Sequence, residues 1–583
     1  MTEYKREFYR WLDSPALSET EWRELDALRD NDTELKSRFR APLEFGTGGM
    51  RGLMGTGLAR MNVHVIRWAT QAFARLVVDA GDEARRRGVV ICHDCRIHSR
   101  EFAEEAACVC AANGIHVRLF EDMRPTPELS FAVLHYGATA GINITASHNP
   151  KEYNGYKVYW SDGAQLPPGH AAAIAEGMAA TDIFAGVATM PYSAACEKGL
   201  IEFIGPETDE AFLNCVLSQA VDRASVQAEK DRLKIAYTPF HGAGRLLVPE
   251  ALRRLGLTQI FPVAEQMVPD GSFPTVKSPN PENPEGFAMA LQVAAEHGCN
   301  LILGTDPDSD RVGVMVPDQD GVFRPLSGNQ IGALLADYLI RSRREAGTLP
   351  ENAAILTTIV STGLIRAICE ANGIHFEETF TGFKFMAEKL AEYGRTGAYR
   401  YILAFEESYG YMTGDFVRDK DAVTASMLVA EMAAYHLHRG RSLWDAVREL
   451  YVKYGCFSEI TVNLYMEGPE GPDRMAALMA RLREAPPQEI GGYRVLRLRD
   501  YRDGAYIVPD LGPVGSTPIA GMDVLYFELE DGTNFIIRPS GTEPKVKAYV
   551  LARGADDTDC ALHAARCADY ARSLAADGRK ESP

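Results

Sequence analysis

The sequence predicts an α/β protein: three consecutive α/β domains with mixed sheets and a smaller C-terminal α+β domain, arranged around a central cleft. Three observations predict it. A length of 583 residues gives about four domains at roughly 150 residues each. Three successive regions repeat one alternation of short β-branched runs with longer helix-periodic segments, as sheets packed between helices require. From about residue 457 that alternation gives way to closely spaced strand signals and one final helix.

Taken in order, the chain opens with MTEYKREFYRWLDS, a charged, helix-periodic stretch without the apolar run of a secretory signal. The first domain, 1–205, has strands at GVVICHD, HVRLF and GINITAS and a helix at REFAEEAACVCAANG. The second, 206–321, has a strand at RLKIAYTPF, a helix at LLVPEALRRLG and a strand at LILG. The third, 322–456, has strands at AAILTTIV, HFEETF and YILAF and a helix at GLIRAICEANG. The fourth, 457–583, carries EITVNLY, DVLYFEL, NFIIR and KVKAYVL as strands and DCALHAARCADYARSLAA as its helix.

Charge and composition exclude several classes. Lys plus Arg total 61 against 80 Asp plus Glu, a formal net charge of -19, which argues against nucleic acid or an anionic membrane as partner because both need basic surface. No run reaches the ~18 apolar residues of a membrane span. The 11 cysteines are an odd, scattered set, the pattern of a reducing compartment and not of a disulfide framework. Cys92 and Cys95, and Cys108 and Cys110, are spaced closely enough for zinc, but they fall in an apolar strand run and an Ala-rich helix, where cysteine serves as a small buried hydrophobe. The expectation is a cytoplasmic protein, monomeric or dimeric.

One strand of each α/β region ends in a polar loop, INITASHNP, LILGTDPDSDR or YILAFEESYG. Open α/β sheets bind ligands beyond the carboxyl ends of their strands, so three such loops point to one shared site. Asp306, Asp308 and Asp310 stand at i, i+2 and i+4, which in an extended segment turns all three carboxylates to one side. They read either as a solvated acidic turn or as an oxygen site for a hard divalent ion, Mg²⁺ by preference. An EF-hand is excluded, since its sixth position would be Arg311 and its twelfth Pro317. Ser147 lies among small neighbours before Pro150, an accessible hydroxyl or an ordinary Ser turn. Glu406 and Ser408 suit vicinal sugar hydroxyls. Arg538, Ser540, Gly541 and Thr542, in RPSGTEPK, combine a guanidinium fork, two hydroxyls and a glycine: a phosphate nest or a tight turn. The run Phe45–Gly52 is glycine-rich, yet Arg51 replaces the third glycine of a dinucleotide fingerprint, and no Gly-Lys dipeptide supplies a Walker A loop.

Together TASHNP, DPDSDR, FEESYG and RPSGTEPK, in that order, resemble the α-D-phosphohexomutase superfamily, phosphoglucomutase/phosphomannomutase. The run FEESYGYMTGDFVRDKDAVTAS is similar to the phosphoglucomutase-2-like branch. The resemblance implies four domains and an isomerase that interconverts glucose 1-phosphate and glucose 6-phosphate. Phosphomannomutase, phosphopentomutase, a metal-dependent sugar phosphatase and a sugar-phosphate-binding protein without chemistry stand as alternatives. It further implies that Ser147 carries a phosphoryl group and that Asp306, Asp308 and Asp310 hold Mg²⁺ with a phosphoserine oxygen. A sugar 1,6-bisphosphate would be the activating intermediate. Glu406, Ser408, Gly382 and Lys384 would recognise the sugar, and Arg538, Ser540, Gly541 and Thr542 the phosphate that does not react. Arg51 and Lys157 would lie near the phosphoserine, with His148 and Arg311 beside it or the metal, and Lys420 matches the position of the general base.

Overall fold

Val89–His93 is buried along its whole length, and its side chains alternate between two cores, as a strand covered on both faces must. Val89 and Ile91 join a cluster with Phe73, Phe102 and Ile142, while Val90 and Cys92 join another with Phe120, Leu129 and Tyr159. This is seen in a computed structural model that describes residues 1–46, 48–466, 470–509, 511–540 and 545–577. The described chain forms two compact units: 1–331 with 387–395 and 401–442, and 332–386 with 396–400 and 443–583.

In the first unit a six-stranded sheet runs Met50–Leu53, Tyr153–Trp160, Ala140–Ile144, Val89–His93, Val117–Phe120, Ile201–Ile204. Its last four strands are parallel and its first two are added antiparallel. Helices Val63–Asp79 and Ser99–Ala112 supply Phe73 and Phe102 to one face, and Thr126–His135 supplies Leu129 and Ala132 to the other. Three N-terminal helices add Phe8, Trp11, Leu25, Leu35 and Phe39 to the first core. The second of them starts at a capping box in which Ser18 and Glu21 satisfy each other's backbone N–H. A second sheet orders Phe323–Leu326, Val312–Pro317, Leu301–Thr305, Ile235–Thr238 and Ile260–Pro262, again parallel with an antiparallel edge.

The second unit contains the parallel pair Ala353–Thr358 and His375–Thr379, joined through helix Leu364–Asn372. It also contains the C-terminal antiparallel sheet, in which Cys456–Tyr465, Lys545–Gly554, Asn534–Pro539, Leu525–Leu529 and Tyr493–Asp500 lie side by side. Phe535 and Ile537 point toward Leu478, Cys567 and Ala568 of helices Gly471–Glu484 and Asp557–Asp577. Ile536, between them, packs on the opposite face with Tyr526, Tyr549 and Phe380. The predicted class is observed: mixed α/β sheets, then a β-rich C-terminal domain with helices on one face. No helix among the described residues is long and apolar enough to cross a membrane.

Three of the polar loops singled out in the sequence are tips of antiparallel hairpins, and the fourth lies between two strands that pair antiparallel. The flanking strands are Ala140–Ile144 with Tyr153–Trp160, Leu301–Thr305 with Val312–Pro317, Arg400–Glu406 with Gly410–Met412, and Asn534–Pro539 with Lys545–Gly554. A turn is thus the common way of presenting the residues of the first three loops, whatever they bind. The first three tips share a second feature. Each holds a non-glycine residue in the left-handed region, Ser147 at φ 51°, Ser309 at φ 53° and Tyr409 at φ 66°, a conformation that costs about 1–3 kcal/mol and persists only where its surroundings enforce it.

Candidate active site

In the first unit the Ser147 loop and the Asp306–Asp310 loop meet directly. The Ser147 hydroxyl donates to Asp306 Oδ2 at 2.7 Å and lies 3.3 Å from His148 Nδ1. Burial, with Arg311 and Arg51 nearby, holds His148 well below its usual range, so the imidazole is neutral. The backbone N–H of Ser147 donates to Thr145 Oγ1 at 2.8 Å, and Arg51 donates to Asn149 Oδ1 at 2.7 Å from strand Met50–Leu53.

Arg96, which the sequence reading did not single out, fixes the rest of that loop. Its guanidinium donates to the carbonyls of Ser147, Asn149, Pro150 and Tyr153, and its Nε lies 3.3 Å from Asp94 Oδ2. Both side chains are fully buried. The sharp turn through Ser147 is therefore held by a charged fork matched to four carbonyl oxygens.

The three aspartates converge, but not along an extended segment. Residues 307–310 form a turn. Asp306 Oδ1 closes it by accepting from the backbone N–H groups of Asp310 and Arg311 at 3.1 and 3.0 Å. One oxygen of each carboxylate lies within 4.8 Å of the others, and among the described residues this is the one cluster of such groups placed to hold a metal. All three are at most 1% exposed. Burial and its two neighbours push Asp306 well above the usual carboxylate range. Burial acts the same way on Asp310, but Lys420 and Lys157 outweigh it and hold that group low. Lys157 Nζ is 2.7 Å from Asp308 Oδ2 and 3.3 Å from Asp310 Oδ2, and Lys420 Nζ is 3.3 Å from Asp310 Oδ2 and 3.0 Å from Asp419 Oδ1. Two buried oxygens, Asp308 Oδ1 and Asp310 Oδ1, accept no hydrogen bond. An all-oxygen donor set with two orphaned atoms fits a hard divalent cation.

A second strand-end loop supports the aspartates from behind. Ala243 N–H donates to the Pro307 carbonyl at 2.8 Å. A Cβ on Gly242 would stand 2.4 Å from Pro307 Cα, so only glycine admits this approach. Arg311 donates to Glu282 Oε1 at 2.9 Å, its Nε 3.7 Å from Asp310 Oδ1. The third tip is tied to the second: Val312 N–H donates to the Tyr409 carbonyl and Ala422 N–H to the Ser309 carbonyl. There Ser408 Oγ lies 3.5 Å from Glu406 Oε2, across a turn and not along an extended edge.

The remaining candidates belong to the second unit. Gly382 has φ 117° immediately before helix Phe383–Thr396, and Lys384 Nζ sits 4.7 Å from the Phe385 ring centroid. Arg538 donates to Tyr549 Oη at 3.1 Å, and the Ser540 N–H donates to the Lys545 carbonyl across the hairpin. Gly541 and Thr542 lie outside the described residues. Cys92 and Cys110 are fully buried, and burial pushes their thiols up, as expected of packing residues.

Comparison with known proteins agrees with this arrangement. Residues 42–183, 210–321 and 327–454 match the models of phosphoglucomutase/phosphomannomutase α/β/α domains I, II and III. A mouse phosphopentomutase is 35% identical over 576 residues, 93% of this chain and 88% of the relative. A phosphoglucomutase of Staphylococcus aureus strain MRSA252 is 34% identical over 534 residues, 91% and 94% of the two chains. A phosphoglucomutase/phosphomannomutase family protein of Burkholderia thailandensis has the same fold, with TM-score 0.65 at 20% identity over 93% of this chain and 98% of its own. With three domain models matched in order and relatives above 30% identity over nearly the whole length, the chain belongs to the phosphoglucomutase/phosphomannomutase family.

Proposed function

We propose that this phosphosugar mutase interconverts glucose 1-phosphate and glucose 6-phosphate in the cytoplasm, with Ser147 as the carrier of the phosphoryl group. The observation that carries the reading is the Ser147 hydroxyl, 2.7 Å from an aspartate of a three-carboxylate cluster in which Asp308 and Asp310 each keep a buried oxygen without a hydrogen bond. A phosphoryl group on that oxygen would sit against the aspartates, Lys157 and Arg51. Four domains, 1–205, 206–321, 322–456 and 457–583, would then contribute one loop each, and eleven free cysteines support a reducing compartment.

In the first half-reaction the P–Oγ bond of phosphoserine breaks as a new bond forms to the free 6- or 1-hydroxyl of the sugar phosphate, giving a 1,6-bisphosphate. The hydroxyl proton would pass to Lys157 or Lys420 once that lysine has given up a proton of its own, since both stand as cations against Asp308, Asp310 and Asp419. After the bisphosphate turns end for end, its other phosphoryl group returns to Ser147. Phosphoryl transfer of this kind depends on positioning and charge neutralisation. Asp306, Asp308 and Asp310 would hold Mg²⁺, which supplies neutralisation at the phosphoryl oxygens when bound. Arg51 adds a fixed guanidinium, and neutral His148 leaves the serine oxygen without a competing cation. Glu406 and Ser408 would hold sugar hydroxyls; Gly382 and Lys384, together with Arg538, Ser540, Gly541 and Thr542, would take the far end.

A second reading, phosphopentomutase, is favoured by the mouse relative, as similar to this chain as the bacterial phosphoglucomutase. Comparing kcat/KM for glucose, mannose and ribose 1-phosphates decides between them: glucose 1-phosphate is expected to rank first, and ribose 1-phosphate ranking first establishes the second reading. Intact-mass analysis is expected to show a phosphoryl adduct that Ser147→Ala loses together with activity. A Ser147→Ala variant with full mutase activity would refute the carrier assignment, and inorganic phosphate released without sugar 6-phosphate would mark a phosphatase.

A further inference from the structure

We propose that Thr126, in the first turn of helix Thr126–His135, is a positioning residue that assigns the two oxygens of Asp308 to different tasks. It donates twice to this one residue. Its backbone N–H meets the Asp308 carbonyl at 2.8 Å, and its hydroxyl meets Asp308 Oδ2 at 2.8 Å. The direction of the hydroxyl proton is fixed from behind. Asn143 Nδ2, an amide donor on strand Ala140–Ile144, lies 2.8 Å from Thr126 Oγ1, so the threonine oxygen accepts there and its proton is left for the carboxylate. Asn143 faces Lys157 across the antiparallel pair, and Lys157 Nζ reaches the same Oδ2 at 2.7 Å. Oδ2 is thus supplied with two donors, while Oδ1 is buried and accepts none.

This division turns the carboxylate about its Cβ–Cγ axis so that Oδ1 is the atom offered to a cation. A carboxylate without it could rotate to present either oxygen or to bring both onto Lys157. Thr126, Asn143 and Asp308 are all fully buried, so water does not substitute for the hydroxyl. Residues that hydrogen-bond to a metal ligand in this way commonly change metal affinity about 10- to 100-fold when lost. The assignment rests on the reading of the three aspartates as a cation site, and its test separates the two.

The test measures binding of Mn²⁺ to the metal-free full-length protein by the loss of the free-ion paramagnetic resonance signal, without any assay of activity. Thr126→Val keeps the shape of the side chain and removes its donor, and Thr126→Ser restores the donor. Wild type is expected to bind one Mn²⁺ and Asp308→Asn none. Thr126→Val should bind about 10-fold more weakly, and Thr126→Ser within about 2-fold of wild type. Thermal unfolding of each metal-free variant reports whether the fold is retained. Wild-type affinity in a folded Thr126→Val protein would overturn the role of Thr126 and leave the cation site standing. Equal weakening in the Ser and Val variants would overturn it too, because the donor would then not be the cause. Absence of Mn²⁺ binding by wild type would overturn the cation site and this assignment with it.

Discussion

Replacing Arg96 by Lys keeps a buried cation beside Asp94 and removes the planar fork. The guanidinium reaches the Ser147 and Asn149 carbonyls at 2.5 Å each and those of Pro150 and Tyr153 at 2.8 and 3.0 Å. A lysine presents its protons from one nitrogen and cannot span carbonyls spread along seven residues, so at least two lose their donor. Hydrogen bonds to a charged group contribute about 1.5–3 kcal/mol each, which puts the loss of two at about 3–6 kcal/mol. The cost falls on the segment that enforces φ 51° at Ser147, so the turn loosens before the domain does. If about 3 kcal/mol of it is needed to place the hydroxyl for transfer, kcat falls roughly 100-fold. The KM for sugar phosphate should stay within about 3-fold of wild type, because Arg96 touches none of the proposed sugar- or phosphate-binding residues. The assay is steady-state kinetics with urea unfolding, supplemented by the rate at which labelled sugar bisphosphate phosphorylates Ser147. Wild-type kcat in Arg96→Lys would refute the reasoning, and so would a rise in KM at constant kcat.

Two further outcomes follow from the packing. Gly242→Ala puts a Cβ 2.4 Å from Pro307 Cα and 2.6 Å from its carbonyl oxygen, so the aspartate turn must move; a loss of about 1–3 kcal/mol in thermal unfolding is expected, with a higher Mg²⁺ requirement for activity. Asp421 caps helix Ala422–His438 with its carboxylate, and burial lifts that group to about 6 against hydrogen bonds from Thr424 and Val423. Its native value lies above the unfolded one of about 3.9, so the unfolded state releases its proton first and wild type loses stability as pH rises from about 4 to about 6, by at most about 3 kcal/mol. Asp421→Asn keeps the acceptor without the charge, and its stability relative to wild type should rise between pH 4.5 and pH 7; a difference that is flat across that range would exclude the effect.

The sheets were legible because strands such as Val89–His93 and Ala353–Thr358 are buried along their length and therefore read as short runs of mostly apolar and β-branched residues between turns. The polar loops were legible because so many chemically competent residues at a strand end have no role in a core. The supporting residues were not. Arg96 acts on Ser147 from 51 residues away and Thr126 on Asp308 from 182 away. In sequence, one is an arginine in a loop and the other an ordinary first residue of a helix. Such roles are created by tertiary contact and leave no periodicity. The route to convergence was hidden for a related reason. The spacing of Asp306, Asp308 and Asp310 suits an extended segment, but three like charges on one strand edge would have no donors between them. Folding into a turn gives Asp306 two backbone N–H groups and makes the repulsion tolerable.

The left-handed residues explain why the tips were not simply built from glycine. A glycine at 147, 309 or 409 would adopt the turn at no steric cost, yet two of the three positions carry serine and the third tyrosine. At 147 the backbone reversal is what aims the hydroxyl at Asp306, 2.7 Å away, so the strained residue and the reactive one have to be the same residue. The conformational cost must then be offset nearby. The Arg96 fork and the Thr145 hydroxyl do this at Ser147, the Asp306 carboxylate and the Ala422 N–H do it around Ser309, and the Val312 N–H does it at Tyr409. Since Val312 closes the second tip and Ala422 lies just beyond the third, the second and third turns are each stabilised in part by a group that the other puts in place, and the first is joined to the second by the Ser147 hydroxyl on Asp306. Loosening any one of them should therefore be felt at Ser147.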